Sequence, residues 1–278
     1  MHKNLRNVDT LQPLERLITR LNLVEFEPDV FHGGSGQGGV TVSDRLFGGL
    51  VAAQAAVAAA RTTALPLHSL HTYFLRPARA HSDIEYRVMR SKQGRNFHVR
   101  GVEAWQQELL ILSMQASFSP PADGVEHSDP APDAGTPDQW PNRDALRGRD
   151  PLAVPIDVRM ATPITNNQPL PPEQRIWFKA NGTLPEDPVL HMAFLIYASD
   201  RTLLDTAWRP HAGTGELNGA SLDHSIWLHA LPRIEDWHLY DMHSPAASLG
   251  RGLAHGAIYD HAGRRIASVA QEGVLRSG

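Results

Sequence analysis

A series of segments that occurs twice in the same order constrains this chain more than any single motif does. In the first half, Phe47-Gly48-Gly49 opens an Ala-rich stretch to Arg61, whose small side chains suit a closely packed helix. Four β-rich segments follow, at 67–75, 84–89, 97–105 and 109–118. In the second half the short β-rich stretch 175–179 precedes an apolar run, Val189 to Ala198, that ends in Ser199-Asp200. Four more β-rich segments follow it, at 221–229, 237–242, 249–259 and 266–275. Val40-Thr41-Val42 is predicted as one further short strand. The strand regions also align without gaps at one offset, with Pro77 on Pro232, Gly101 on Gly256, Ile111 on Ile266 and Ser113 on Ser268. Between the halves, 120–155 is rich in Pro, Asp and Gly with little to bury. The predicted organisation is an N-terminal unit 1–119, a linker 120–155 and a C-terminal unit 156–278. The alternative is one irregular α+β domain with a long loop.

A strand set that follows a single long helix can wrap around it as a curved antiparallel sheet. Two such units side by side can pair their edge strands and so hide edges that would otherwise invite aggregation. The predicted class is α+β, in the arrangement called a double hotdog. With 41% apolar residues the chain can bury a real core.

No cysteine is present, which excludes a thiol nucleophile, a thiolate metal site and a disulfide framework. A net charge of -4 argues against non-specific nucleic-acid binding and against a polybasic membrane anchor. The first 26 residues are cut by charges and do not read as a signal peptide. The run Leu50 to Ala60 is too short to cross a bilayer. These readings predict a cytoplasmic protein with no membrane or nucleic-acid partner. They also make Asp200 conspicuous, because a carboxylate beside so much apolar surface must be paired, hydrogen-bonded or used.

Six stretches carry a family resemblance: LFGGLVAAQA (46–55), HSLHTYFLRP (68–77), GRNFHVRGV (94–102), LPEDPVLHMAFLIYASD (184–200), LDHSIWLH (222–229) and IASVAQEGVLR (266–276). In this order they resemble the type II (TesB-like) acyl-CoA thioesterases over nearly the whole chain. The resemblance implies a double hotdog, hydrolysis of fatty acyl-CoA to free acid and CoA, no metal or bound cofactor, and a homo-oligomer, dimer or tetramer. It also implies a catalytic set. The helix-end Asp falls on Asp200, the terminal-strand Gln on Gln271, and the position that is usually Thr on Ser221, which keeps the hydroxyl. The Arg that often follows His229 is replaced here by Ala230.

Those residue types suit hydrolysis by water, which needs a positioned nucleophile, a proton acceptor and donors aimed at the developing oxyanion. Asp200 can accept a proton or a hydrogen bond from water. Ser221 and Gln271, each both donor and acceptor, can fix that water against it. The leaving thiol has a pKa of about 8.5, so its departure needs little acid help. Backbone N–H groups near Gly48-Gly49 could polarise the carbonyl. Arg76, Arg95, Arg100 and Arg251 are candidates to hold the phosphates of CoA, although any single one of them reads better as a surface or sheet-stabilising arginine. His71 and His224 complete the candidate substrate contacts. His68 and His71 are three apart and His224 and His229 five apart, so neither pair clamps one metal from one strand face. Two other functions fit the same fold: an enoyl-thioester hydratase, for which Asp223-His224 is the nearest acid–base pair, and a non-catalytic acyl-CoA-binding protein.

Overall fold

The computed structural model describes residues 11–34, 45–80, 82–165, 167–214 and 217–277. The predicted strand Val40–Val42 lies outside them. The elements in chain order are α1 (Pro13–Leu21), β1 (Val24–Glu27), β2 (Val30–Gly33), α2 (Gly48–Ala60), β3 (Leu67–Phe74), β4 (Ile84–Gln93), β5 (His98–Gln106) and β6 (Leu109–Phe118). They continue as α3 (Arg143–Leu146), β7 (Ile156–Met160), β8 (Glu173–Ala180), α4 (Pro188–Ser199), α5 (Asp205–Trp208), β9 (Leu217–Ser221), β10 (Asp223–Leu228), β11 (His238–Ser248), β12 (Arg251–Tyr259) and β13 (Arg265–Ser277).

One antiparallel sheet runs β1-β2-β4-β5-β6-β3-β10-β13-β12-β11-β8-β7, with β9 added beside β13. From its outer edges inward, the path reads β1-β2-β4-β5-β6-β3 on one side and β7-β8-β11-β12-β13-β10 on the other. The two halves therefore repeat one strand order and meet where β3 pairs with β10. Period 2 turns one face of the inner strands inward. In β12, Gly252, Ala254, Gly256 and Ile258 are buried, while Leu253, His255 and Ala257 between them are half-buried. This is the predicted double hotdog.

The two long helices lie inside the sheet. Apolar character on every side marks a helix with no solvent face, and α2 and α4 are buried over almost their whole length. Alanines in α2 let the two pack closely, with the start of α2 against the end of α4. Asp187 caps α4 by accepting from the Val189 N–H at 2.9 Å, and Pro188 sits where a missing N–H costs nothing.

Three features differ from the sequence expectation. The segment 221–229 is not one strand: β9 ends at Ser221 and β10 begins at Asp223, so Ser221 and His224 belong to different strands. The hairpin β1–β2 and helix α1 were not foreseen. Residues 120–155 also carry more packing than their composition suggests. Ala134 is buried with Leu239 and Tyr259, and its carbonyl accepts from the Trp140 indole N–H at 2.7 Å. Asn142 caps α3 and donates to Asp157 Oδ1 at 2.7 Å.

Candidate active site

Asp200 follows the last residue of α4 and is 8% exposed. It stands at the negative end of that helix but against the positive end of α2, whose field favours a carboxylate. The two helices approach closely at this point. A Cβ placed on Gly48 would lie 3.4 Å from Asp200 Oδ2, and one on Gly49 would lie 3.0 Å from Asp200 Cβ. The contact at Gly49 is the tight one, so the absence of a side chain there lets the start of α2 come this near.

Gln271, on the inward face of β13, is fully buried. Its amide nitrogen has two hydrogens and uses both. One goes to Asp200 Oδ1 at 2.5 Å and the other to Ser221 Oγ at 2.9 Å. The bond to the carboxylate is charge-assisted and short. Because Ser221 accepts from the amide, its own O–H is left to donate elsewhere. The predicted trio, drawn from three separate elements, is thus one hydrogen-bonded chain.

Asp200 and Ser221 line a cavity of about 580 Å³. Its walls are mainly apolar, with Phe47, Val51, Phe74, Ile111 and Leu112 among them, and Gly48 lies on its border. Arg45 and Arg76 also line it, and both are exposed. Arg76 was foreseen from its motif, and its Nη1 donates to Leu110 O at 2.7 Å. Arg45 was missed. It immediately precedes the Leu46-Phe47 motif, and that adjacency was the available signal.

The other predicted contacts lie elsewhere. Arg100 is fully buried and bonds to Thr62, Lys92, Val99 and Gln93, tying β4 and β5 to the end of α2. It holds the fold together and offers no surface to a phosphate. Arg95 sits in the β4–β5 turn. That end of the sheet carries His98 opposite Phe118, whereas the cavity borders Phe74 opposite Leu112 at the other end. Arg251 faces outward and pairs with Glu272 at 3.0 Å, on the side of the sheet away from Gln271. His71 is exposed on the outer face, where Nδ1 meets Ser225 Oγ at 3.0 Å and its ring meets Trp227 edge-on. His224 is fully buried next to Asp200 and does not line the cavity. Burial pulls its pKa down, while Asp200 and Asp223 oppose that pull. Asp223 turns the opposite way and accepts from the Glu272 N–H at 2.7 Å. Burial raises its pKa.

A sheet of two matched halves wrapped around two helices, with a carboxylate and a hydroxyl on one apolar cavity and an amide joining them, defines a hotdog protein with an enclosed polar site. Comparison with known proteins is specific. A family model described as acyl-CoA thioesterase matches residues 150–274, and one described as acyl-CoA thioesterase N-terminal domain matches 37–119. The chain is 35% identical to acyl-coenzyme A thioesterase 8 of Rattus norvegicus, covering 92% of this chain and 88% of that one. It is also 35% identical to acyl-CoA thioesterase 2 of Haemophilus influenzae, covering 95% and 98%. The crystal structure of the acyl-CoA thioesterase II TesB2 of Mycobacterium marinum superposes with a TM-score of 0.81 at 37% identity, covering 94% of this chain and 98% of that one. The chain belongs to the acyl-CoA thioesterase family and is a thioester hydrolase. Among the described residues, no helix is long and apolar enough to cross a membrane.

Proposed function

We propose that the protein hydrolyses fatty acyl-CoA thioesters to free fatty acid and CoA, using a water activated by Asp200, Ser221 and Gln271. The observation that carries this reading is the continuous Asp200–Gln271–Ser221 hydrogen-bond chain at the wall of an apolar cavity. Asp200 serves as the base. Gln271 fixes the carboxylate and the hydroxyl relative to each other. The Ser221 O–H points its free hydrogen at the water oxygen, which leaves one water lone pair for the carbonyl carbon.

The thioester oxygen gains charge as water adds. The start of α2 supplies donors for it, since Phe47 gives no side-chain cap and the Leu50 N–H already reaches back to Phe47 O at 3.1 Å. We assign the oxyanion contact to the N–H groups of Gly48 and Gly49. The apolar walls suit an acyl chain. Arg76 and Arg45 suit the phosphates of CoA. No cofactor enters these steps. An enoyl hydratase would need a histidine and a carboxylate that both face the substrate. The burial of His224 and the outward turn of Asp223 speak against it. As proposals of the same kind, the enzyme is a cytoplasmic homo-oligomer, dimer or tetramer.

The test is thiol release from a panel of acyl-CoAs. Asp200→Asn is expected to lower kcat at least about 1,000-fold, on the scale of a lost general base plus its electrostatic support, with the circular dichroism spectrum unchanged. A folded Asp200→Asn protein that keeps most of its kcat would remove Asp200 from the chemistry. Tight binding of acyl-CoA with no thiol released by the native chain would point to a binding protein instead.

A further inference from the structure

Three buried polar atoms on neighbouring strands share one inward row of the sheet, and two of their side chains, His224 and Gln271, reach the Asp200 carboxylate. Thr72 of β3 pairs with His224 of β10. Gln271 of β13 is the next inward position beyond His224, because Ser225 pairs with Ala270 and the Leu222 N–H donates to Glu272 O. Thr72 Oγ1, His224 Nδ1 and Gln271 Oε1 are each buried without a hydrogen-bond partner among the described residues. Buried polar atoms in native proteins are almost always partnered. Three orphans in one row, two of them on side chains against one carboxylate, therefore call for a functional explanation.

The tautomer of His224 follows from its neighbour. Ser199 Oγ donates its single hydrogen to Ile196 O at 2.9 Å. Its contact with His224 Nε2, also 2.9 Å, is then one in which the ring donates and the hydroxyl accepts. The ring proton is on Nε2, and Nδ1 carries a bare lone pair. That lone pair lies 3.9 Å from Asp200 Oδ1. Two acceptors face each other with no hydrogen between them, and a proton delivered to either would draw them together.

We propose that His224 is a positioning residue of this site, which takes up at Nδ1 the proton that Asp200 draws from the hydrolytic water and, once charged, steadies the Asp200 carboxylate. This rests on the reading of Asp200 as the base. In the first step a water O–H bond breaks, its oxygen bonds to the thioester carbonyl carbon, and the C=O π pair moves onto the carbonyl oxygen. The proton passes to Asp200 and on to Nδ1, giving an imidazolium that keeps its Nε2–H on Ser199. In the second step the oxyanion re-forms the C=O bond as the C–S bond breaks with its electron pair on sulfur, and the proton returns through Asp200 to the CoA thiolate. The groups around the ring suit the task. Asp200 faces it from the end of α4. Asp223, on its own strand, turns to the other face. Thr72 and Gln271, from β3 and β13, do not titrate.

Two substitutions and one measurement on the native enzyme test this. His224→Asn keeps a polar atom near the Nδ1 position but cannot take a proton, and His224→Gln keeps a contact toward Ser199. Both are expected to lower kcat on an acyl-CoA about 10- to 100-fold, the scale of a lost proton-transfer partner, with KM within about twofold. The acid limb of the kcat profile moves to lower pH in both, because a lone carboxylate binds its proton at lower pH than a coupled Asp–His pair does. In native protein, nitrogen NMR of labelled histidines, with His224 assigned through its contacts to Ser199 and Thr72, is expected to read Nε2–H and an unprotonated Nδ1. A resting ring protonated at Nδ1 overturns the proposal. So does a His224→Asn enzyme of native kcat and unmoved acid limb while Asp200→Asn is inactive. An active Asp200→Asn enzyme would overturn the assignment of the base as well, which separates the two failures.

Discussion

Ser221 has the smallest side chain of the trio, and in the proposed mechanism its hydroxyl is free to donate to water because Gln271 donates to its oxygen from behind. Removing that hydroxyl leaves the amide hydrogen without its acceptor and the water without a donor. Ser221→Ala is expected to lower kcat about 10²-fold, as for the loss of one preorganised donor, whereas Ser221→Thr restores the family's usual residue and keeps the rate within a few fold. Steady-state kinetics on one acyl-CoA decide it, and an alanine variant at native rate would take the hydroxyl out of the mechanism. Asp200, Ser221 and Gln271 were legible in the sequence as motif positions. Their meeting around one water was expected, but the direct bonds from Gln271 to Asp200 and Ser221 were not, because 71 residues separate Gln271 from Asp200 and no local pattern sets that distance. Arg100 shows the opposite failure. In the sequence it is a cation in a matching motif, but the irregular register between Met89 and Lys92 brings Lys92 O and the Gln93 side chain onto its guanidinium. No local pattern reports a bulge on the neighbouring strand.

Helix α2 was predicted almost to its ends, since an Ala-rich run after two glycines leaves little choice of structure. Its first turn has a sharper requirement than helix formation. Alanine is a better helix former than glycine by about 1 kcal/mol, so propensity alone predicts that Gly49→Ala stabilises the protein. The packing predicts the reverse, because a Cβ there would lie 2.5 Å from Phe47 Cε1 and 3.0 Å from Asp200 Cβ. Overpacking of this kind costs about 1–3 kcal/mol, enough to outweigh propensity. Gly49→Ala is therefore expected to lower the urea midpoint, and more than Gly48→Ala does, whose nearest atoms are 3.1 Å away on Phe74. A raised midpoint in Gly49→Ala would mean that the start of α2 is not held against Asp200. Among the strands, burial alone did not decide legibility, since β7 is buried at four of its five positions and was not foreseen. The inner strands alternate and were read from that alternation, whereas β1 has all four residues exposed and gave no alternation to read. The break at Leu222 escaped for another reason: β9 and β10 are contiguous in sequence and both pair with β13, so only the pairing reveals two strands.

At the scale of the whole molecule, the repeated strand order was legible because each half carries its own helix and strand signals. The seam was not, since nothing in 69–73 or 223–227 announces that these segments pair. We propose that the division into 1–119, 120–155 and 156–278 is one of topology and not of independent stability. Helix α2 is wrapped by strands of its own half and packs on α4 of the other, so pulling the halves apart would expose two apolar helices to water. The seam itself adds five paired positions, Ser69–Tyr73 against Asp223–Trp227. The connection between the halves contributes little of this, because residues 120–130 are exposed and carry no regular structure, with Val125 99% exposed. A protease site inserted at Gly124–Val125 should therefore be cut without dissociation: the nicked protein keeps the light-scattering mass of the intact chain and most of its thioesterase rate. The intact sample in the same experiment reads the proposed dimer or tetramer directly. If the nicked chain separates into two folded pieces under native conditions, the helices are not each other's cover and the two units are stable domains in their own right.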